Sequence, residues 1–328
     1  MAAVPLPRSP LCFRRCVVFS LATVSALLLT AASGARAQTV QQRQPVASAA
    51  PAKTDDATVR ELQRRAELGD ASAQSDLGLK YAKGDGVAQD YGQAVAWFRR
   101  AADGGSAVGQ YNLGVMYYKG LGVPQDYPLA VTWYRKSADG GDAQAQYDLG
   151  SMYERGLGVQ QDHAQAVTWI RRAAEQGVRE AQFNIGVMYY QGYGIPQDYT
   201  QAVMWFRKAA EQGYAAAQFN LGTTYDNGDG VTRDDSVAVA WYRRAAEQGY
   251  APAQHSLGVK YASGQGTPQD YVEAHKWLSI AVARASSEEQ KRYAETRDAL
   301  AKGMSPAQIA EAQERASEWM AAFEKRKR

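Results

Sequence analysis

Cysteine is almost absent from this chain of 328 residues, which contains only Cys12 and Cys16, both near the N-terminus. The rest of the sequence therefore has no disulfide, no thiolate metal site and no cysteine nucleophile. Histidine is also scarce, and no two of His163, His255 and His275 have the spacing of metal ligands. We interpret them as substituted helix residues, and we predict no catalytic, cofactor-binding or metal-binding residue.

Acidic residues are missing from the first 37 positions, which contain Arg8, Arg14, Arg15 and Arg36. The whole chain has 37 basic and 34 acidic residues, so the remainder holds 33 basic and 34 acidic residues. A nucleic-acid-binding protein would carry a clustered basic excess. We therefore predict no nucleic-acid partner.

The apolar run at residues 17–32 falls short of the roughly 20 residues that span a bilayer. It follows the basic cluster and precedes Ala35-Arg36-Ala37, the small-x-small pattern of a signal-peptidase site. We predict a signal peptide over 1–37 cleaved before Gln38, a periplasmic or secreted location, and no membrane span after cleavage. An uncleaved N-terminal anchor is the alternative. Residues 38–58, rich in Gln, Ala, Pro and Ser, predict a flexible linker.

The main positive feature is a 36-residue repeat in six copies. Three residue types recur at this spacing: Gly78, Gly114, Gly150, Gly186, Gly222 and Gly258; Trp97, Trp133, Trp169, Trp205, Trp241 and Trp277; Gln74, Gln110, Gln146, Gln182, Gln218 and Gln254. In the fourth copy, Ala181, Ile185 and Tyr189 have helical spacing and predict a helix A. Gly192 is predicted to end it in a left-handed cap, and Asp198 to cap the start of a helix B.

Small residues are predicted to lie where the two helices of a pair meet. Gly186 and Ala202 allow helices A and B to approach closely, and Trp205 is predicted to fill the space between this pair and the next one. Each pair leaves an apolar face that its neighbour must cover. The pattern therefore predicts a stack of helix pairs.

These residues resemble the Sel-one-like repeat family, a relative of the tetratricopeptide repeat. The shared pattern is A-Q-x-x-L-G-x-x-Y-x-x-G-x-G-V-x-x-D-Y-x-x-A-x-x-W-x-x-x-A-A-x-x-G, which residues 73–105 match. The resemblance implies an all-α fold, an α/α right-handed superhelical solenoid that acts as an adaptor, and an exported bacterial member. We predict six 36-residue helix-turn-helix repeats with an N-terminal cap helix over 59–285, C-terminal capping helices over 286–328, and a monomer.

Residues that break the repeat were considered as sites of chemistry. His163 and Asp235 replace the Tyr that begins helix B, which we interpret as tolerated drift. The loop at Asp226 superficially resembles a calcium loop, but it lacks the Glu that position 12 of an EF-hand requires. The basic pairs on helix B are Arg99-Arg100, Arg135-Lys136, Arg171-Arg172, Arg207-Lys208 and Arg243-Arg244. They predict either a solvated face with local ion pairing or a convex basic ridge.

An aromatic row on helix A is the candidate binding surface. In tetratricopeptide relatives, helix A lines a concave groove, so the positions after the recurring Gln and after the recurring Tyr are predicted to face a partner. The hypothesis places partner-binding residues at Tyr111, Tyr118, Tyr147, Phe183, Tyr190 and Phe219. The alternative is that the residues after the Gln pack between repeats as core.

The predicted function is a non-enzymatic scaffold or regulator that binds a protein or peptide outside the cytoplasm. Aromatic rows also stack on sugars, so a cell-wall or glycan-binding structural role is the alternative. A hydrolase is a third and weaker hypothesis, because the sequence offers no unique nucleophile or acid–base pair.

Overall fold

The computed structural model describes residues 57–327. The predicted signal peptide 1–37 and the predicted linker up to residue 56 lie outside these residues. The described part contains fifteen helices and no strand. It divides into two compact units, one running to Ala145 with Leu157–Gln160 added, the other comprising Gln146–Gly156 and the residues from Gln161 onward.

The first unit contains five helices and the start of a sixth. They are α1 (Ala57–Glu67), α2 (Ala71–Lys83), α3 (Tyr91–Asp103), α4 (Ala107–Lys119), α5 (Tyr127–Asp139) and the first residues of α6 (Ala143–Arg155). Helices α2 and α4 are helices A of the first two copies, and α3 and α5 are the matching helices B. Helix α1 precedes the first copy and occupies the register of a helix B.

The second unit continues the same alternation. It holds most of α6, then α7 (His163–Glu175), α8 (Arg179–Gln191), α9 (Tyr199–Glu211), α10 (Ala215–Asn227), α11 (Asp235–Glu247), α12 (Ala251–Ser263), α13 (Tyr271–Arg284), α14 (Ser287–Ala301) and α15 (Pro306–Lys327). The all-helical solenoid of six tandem repeats is therefore confirmed. No helix within residues 57–327 is both long and apolar enough to cross a membrane.

Local capping sets the helix ends where the sequence predicts them. Gly192 ends α8 with φ 71°, and its N–H donates to the carbonyl of Met188. The Asp198 carboxylate accepts the N–H of Gln201 at the start of α9. The Asp198 N–H in turn donates to the carbonyl of Tyr189 at 3.0 Å, so one residue ties helix B to helix A. A side-chain cap of this kind stabilises a helix by about 1 kcal/mol.

The helices of one pair touch where the glycine recurs. A Cβ placed on Gly186 would lie 2.7 Å from the Phe206 ring, so only glycine permits this approach. The recurring tryptophan packs differently from the prediction. Trp97 belongs to one core cluster with Ala73 and Leu77 of its own helix A and with Val59 and Ala66 of the preceding helix α1, so it lies toward the preceding element and not toward the next pair. Truncating such a buried aromatic side chain to Ala costs about 3–5 kcal/mol.

The register of the repeat continues past the sixth copy. The Gln74 amide donates to the carbonyl of Ala66, eight residues earlier, and Gln290 makes the same bond to Val282 at 3.3 Å. Helix α14 is therefore a seventh helix A. Helix α15 then covers the apolar face of the last pair, with the Trp319 and Trp277 rings 5.5 Å apart.

Candidate functional site

The six predicted binding residues all lie on helices A, but they do not form one exposed row. Tyr111 and Tyr118 belong to the first unit, and Tyr147, Phe183, Tyr190 and Phe219 belong to the second. The four tyrosines are half-buried, and the two phenylalanines are buried.

Phe183 and Phe219 are core residues, which corrects the hypothesis that they are partner-facing anchors. Phe183 is 1% exposed and lies 5.2 Å from the Tyr214 ring, and Phe219 is 4% exposed and lies 5.6 Å from the Tyr250 ring. In both repeats a tyrosine 31 residues later covers the phenylalanine. The alternative that residues after the recurring Gln pack as core is correct for these two copies.

Tyr147 differs because its covering position is smaller. Val178 stands 31 residues after it, where Tyr214 stands after Phe183. The Tyr147 hydroxyl accepts a hydrogen bond from the Asn184 amide at 3.2 Å, and burial raises its pKa well above the usual value. Tyr147 is therefore a neutral, tethered side chain with part of its ring open. In the first unit, Asp142 stands at the corresponding position after Tyr111.

A second set of positions forms what we call the junction pair, the residue after the recurring Tyr of helix A and the first residue of helix B. The six pairs are Ala82/Tyr91, Tyr118/Tyr127, Glu154/His163, Tyr190/Tyr199, Asp226/Asp235 and Ala262/Tyr271. The residue type at this register position varies along the chain. Its chemistry changes from aromatic to acidic between copies.

Two junction pairs are aromatic. The Tyr118 and Tyr127 rings are 5.5 Å apart, and the Tyr190 and Tyr199 rings meet edge to face at 4.9 Å. The Tyr190 hydroxyl also donates to Asp229 at 2.6 Å, and burial raises its pKa above the ordinary tyrosine value. Each ring is half-buried and held by a second ring, so it can contact a partner with little loss of side-chain entropy.

The fifth junction pair is a buried ion network. The Lys260 ammonium from α12 binds Asp226 and donates to Asp235 at 2.8 Å, and its side chain is only 6% exposed. The Tyr242 hydroxyl donates to Asp226 at 3.2 Å. Burial alone would raise the pKa of Asp235, but the hydrogen bond and charge of Lys260 hold that pKa below its usual value. Asp235 is thus an ion-pair residue and not simple drift from Tyr.

The third junction pair holds an acid without an ion-pair partner, on which only the charge of Arg155 acts from a distance. Glu154 is 9% exposed, and burial raises the pKa of its carboxyl to about 7. The His163 ring lies 4.1 Å from the Tyr193 ring, and its Nε2 is 3.0 Å from the Tyr193 hydroxyl. The Nδ1 atom of His163 is buried and has no hydrogen-bond partner among residues 57–327.

The basic pairs on helix B contact aromatic side chains. Arg207 donates to the Tyr225 hydroxyl at 2.6 Å, and Lys208 lies 4.3 Å from the centre of the Trp205 ring. Arg99, Arg171 and Arg243 make the same tyrosine contact in their repeats, and Arg100, Lys136, Arg172 and Arg244 cover their tryptophans. These cation–π contacts seal the edge of the core. Most of these side chains are exposed, so the interpretation as a solvated face holds, with aromatic rings as their partners in the contacts named above.

The other two histidines are neutral packing residues. His255 stacks on Tyr293 at 4.4 Å, and burial lowers its pKa to about 4. His275 is buried beside Ser279, with its pKa also lowered by burial. Within residues 57–327, no group of three or more His, Cys, Asp or Glu residues could hold a metal ion.

Sequence reasoning missed the charged junction pairs. A signal was present, since Glu154, Asp226 and Asp235 stand where other copies have aromatic or small residues. Their partners could not be read from the repeat, because Lys260 lies in a different copy from the two acids that it binds. A change of residue type between copies indicates the site, but only the fold shows which residues are in contact there.

One family model matches each of the six helix pairs described above. The Sel1 repeat model matches residues 71–106, 107–142, 143–178, 179–214, 215–250 and 251–286. The chain belongs to the Sel1 repeat family. Sel1 repeats generally mediate protein–protein interactions, and proteins built from them are typically non-catalytic scaffolds. No curated protein matches this Sel1 repeat chain significantly.

Two of the solved structures that it resembles are similar to it in sequence as well as in fold. One is c5321, a protective antigen of uropathogenic Escherichia coli strains with an SLR fold, at 39% identity and a TM-score of 0.71 over 80% of this chain. This chain spans 56% of that antigen. The other is a Sel1 repeat protein from Oxalobacter formigenes, at 31% identity and a TM-score of 0.58, covering 69% of this chain and 97% of that one.

Proposed function

We propose that this Sel1 repeat protein is an exported, non-enzymatic scaffold that binds a protein or peptide partner through the helix-A aromatic residues. The observation that supports it is the pair of half-open tyrosines, Tyr118 in the first unit and Tyr190 in the second, each held by a neighbouring ring. Rigid tyrosines that keep part of their ring in solvent are favoured contact residues at protein interfaces.

Tyr111 and Tyr147 support the same proposal on their own units. Each is half-buried, and each is followed by a small or polar residue at the position that covers Phe183 and Phe219 in later copies. We therefore propose a separate contact surface on each unit, Tyr111 and Tyr118 on the first and Tyr147 and Tyr190 on the second. Phe183 and Phe219 support these residues from within the core.

Export is the second part of the proposal. Its support is the sequence pattern of basic residues, apolar run and small-x-small site before Gln38. Mass analysis of the protein from a periplasmic or culture fraction should give an N-terminus at Gln38. An intact N-terminus on a membrane-bound protein would instead favour the uncleaved anchor.

The binding proposal is tested by site-specific cross-linking in living cells. A photo-crosslinking residue at Tyr118 or Tyr190 should capture a dominant protein, identified by mass spectrometry. The same residue at Thr132 or Thr168, which are exposed on helices B of the same units, should not capture it. Tyr147→Ala should weaken capture from Tyr190, whereas Tyr147→Phe should retain most of it.

The other outcomes have defined meanings. Capture from Thr132 and Thr168 in place of the tyrosines would place the interface on the opposite face and contradict the proposal. Binding of the purified protein to peptidoglycan, lost in Tyr190→Ala and without any protein adduct, would favour the glycan-binding alternative, since tyrosine rings also stack on sugars.

A further inference from the structure

The chain shows how this fold neutralises an acid at a junction pair. At the fifth pair, Asp226 and Asp235 share the ammonium of Lys260, which comes from helix A of the next repeat. The Gln265 side chain also accepts from this ammonium at 3.3 Å. Three acceptors therefore surround a cation that solvent barely reaches. This network is an internal example of an ammonium bound at the junction.

The third junction pair has the acid without this cation. The register position that Lys260 occupies in the sixth copy is filled by Met188 in the fourth copy, and Met188 is fully buried. Within residues 57–327, no hydrogen bond and no ion pair is found at the Glu154 carboxylate; the charge of Arg155 acts on it from further away and lowers its pKa, against the larger effect of burial. A buried carboxylate without a partner is costly, and native proteins rarely keep one without a reason.

The carboxylate is still open to an external group. The fully buried side-chain atoms that lack a partner include His163 Nδ1 but neither oxygen of Glu154, so the small remaining exposure of Glu154 reaches its carboxylate. Burial and the charge of Glu154 both raise the pKa of Tyr193, and the Tyr193 hydroxyl lies 3.0 Å from Nε2 of His163. Glu154 and His163 are thus the two members of the third junction pair, and Tyr193 is linked to Glu154 by charge and to His163 by a direct contact.

We propose that Glu154, with His163 and Tyr193 beside it, binds a primary ammonium group from outside the chain, the side chain of a lysine on the partner protein. The geometry of the Lys260 network is the precedent, because the same register positions there hold an ammonium between acids. This inference rests on the proposed function, since it identifies the chemistry of one partner residue at the helix-A surface. It would make Glu154 the specificity-determining residue of that surface.

The first test uses Nα-acetyl-lysine methylamide as the probe and the mature chain labelled with ¹³C in its glutamate carboxyls. The Glu154 signal is assigned by its loss in Glu154→Gln. Saturating probe should lower the pKa of Glu154 by about 1 unit or more, as a cation beside a carboxylate does. Binding of a single side chain should be weak, with a dissociation constant on the order of 1–10 mM. The Nε-acetylated probe, which has no charge, should have no effect.

The second test supplies the cation from within the chain. Met188→Lys places an ammonium at the register position of Lys260, so the pKa of Glu154 should fall without any probe, and the response to the probe should disappear. A Glu154 signal that neither the charged probe nor Met188→Lys moves would overturn the proposal, as would an equal response to the neutral probe. If Met188→Lys does not fold, the comparison of the two probes on the wild-type chain decides the question alone.

The outcomes separate this inference from the scaffold proposal. If cross-linking captures a partner but the charged probe leaves Glu154 unchanged, the scaffold stands and the lysine site is wrong. If the probe lowers the pKa of Glu154 but no protein is captured at Tyr118 or Tyr190, the ammonium site stands and the partner surface is wrong. If capture occurs, Glu154→Gln should weaken it about tenfold, whereas Glu180→Gln on the same unit should leave it unchanged.

Discussion

At the scale of single residues, the junction pairs show how a repeat absorbs charge. Moving an ammonium out of water costs several kcal/mol unless acceptors replace the lost solvation. Lys260 is acceptable because Asp226 and Asp235 both bind it and because the Tyr242 hydroxyl satisfies a further oxygen of Asp226. The three charged residues therefore depend on one another. Replacing one of them should lower the free energy of unfolding more than replacing all three.

We predict that Lys260→Met lowers the free energy of unfolding by about 3–5 kcal/mol, because it leaves two acids near the core without their cation. Urea denaturation followed by circular dichroism measures the change. The matched control adds Asp226→Tyr and Asp235→Tyr, so that the three positions carry the residue types that the sequence has three copies earlier, at Met152, Tyr118 and Tyr127. This triple variant should recover most of the lost stability. Equal losses in both variants would show that the charges are not coupled.

Glu154 predicts a dependence of stability on pH. Its pKa is about 7 in the folded chain because of burial, and its ordinary value is 4.5. Below pH 4.5 the carboxyl is protonated in both states. Between pH 4.5 and 7 the unfolded chain releases the proton more readily, so the free energy of unfolding should fall as pH rises, and above pH 7 the loss is complete.

The expected slope is at most about 1 kcal/mol per pH unit, since partial solvent contact weakens the effect. Glu154→Gln keeps the shape of the side chain and removes its titration. Urea midpoints at pH 5, 6, 7 and 8 should therefore fall with pH in the wild type and vary less in the variant. Identical profiles for the two proteins would contradict a raised pKa at Glu154.

At the scale of a helix, one aspartate performs two tasks at each start of helix B. The Asp198 side chain caps α9, and its backbone N–H binds the carbonyl of Tyr189 near the end of α8. The first bond fixes where helix B begins. The second fixes the angle at which the chain leaves helix A. Because both come from one residue, the aspartate sets the geometry of the junction pair that follows.

We predict that Asp198→Ala lowers the free energy of unfolding by about 1 kcal/mol, with a range of about 0.5–2 kcal/mol, because the Gln201 N–H loses its acceptor. Asp198→Asn should remain within a few tenths of wild type, since an asparagine carbonyl oxygen caps almost equally well. Thermal and urea denaturation measure both variants. A loss in Asp198→Asn as large as in Asp198→Ala would show that the negative charge matters and the cap bond does not.

The helices could be predicted from the sequence because the signals are local. The capping hydrogen bonds of Gly192 and Asp198 join residues at most four positions apart, so the start and end of each helix follow from the pattern. Burial of a helix-A side chain is not local. Phe183 and Tyr147 occupy the same register position, and the residue 31 positions later, Tyr214 in one case and Val178 in the other, decides how far each is covered.

The candidate site was harder to predict for the same reason. The repeat pattern identifies Glu154 and Lys260 as unusual residues. It describes what the copies have in common, however, whereas the role of each of these residues depends on its contacts within one copy and with the adjacent copy. Trp97 packs toward the preceding helix, which the repeat pattern could not predict, because periodicity gives the face of a helix and not which adjoining pair that face meets. Contacts between consecutive repeats are the information that one repeat unit lacks.

At the scale of the molecule, a recurring hydrogen bond between two glutamine side chains links one helix pair to the next. In the second unit, Gln176, Gln212 and Gln248 donate to the side chains of Gln146, Gln182 and Gln218, each 30 residues earlier. The series ends at Gln254, whose Oε1 is buried without a partner because Arg284 stands where the next glutamine would be. The free energy of unfolding of a chain linked in this way should be a sum of contributions from each repeat and from its contacts with adjacent repeats.

Two glycine variants test this locality in opposite directions. A Cβ on Gly78 would lie 2.5 Å from the buried Phe98 ring, and a Cβ on Gly258 would lie 2.8 Å from buried Leu278. Overpacking of this kind costs about 1–3 kcal/mol. In hydrogen exchange read by mass spectrometry, Gly78→Ala should raise exchange in α2 and α3 by roughly tenfold for each 1.4 kcal/mol. It should leave α12 and α13 close to wild type, and Gly258→Ala should do the reverse.

Gly303→Ala is the control, because the nearest atom to its added Cβ is 3.7 Å away and exchange should not change in either region. If each repeat is held by its neighbours alone, the two patterns must be complementary, since a local loss of stability decays along the series. Equal loss of protection in α2 and α13 for both variants would mean that the described chain unfolds as one cooperative body. In that case a partner bound to one unit would stabilise the other, whereas complementary patterns would confine the effect of a partner to the unit that it contacts.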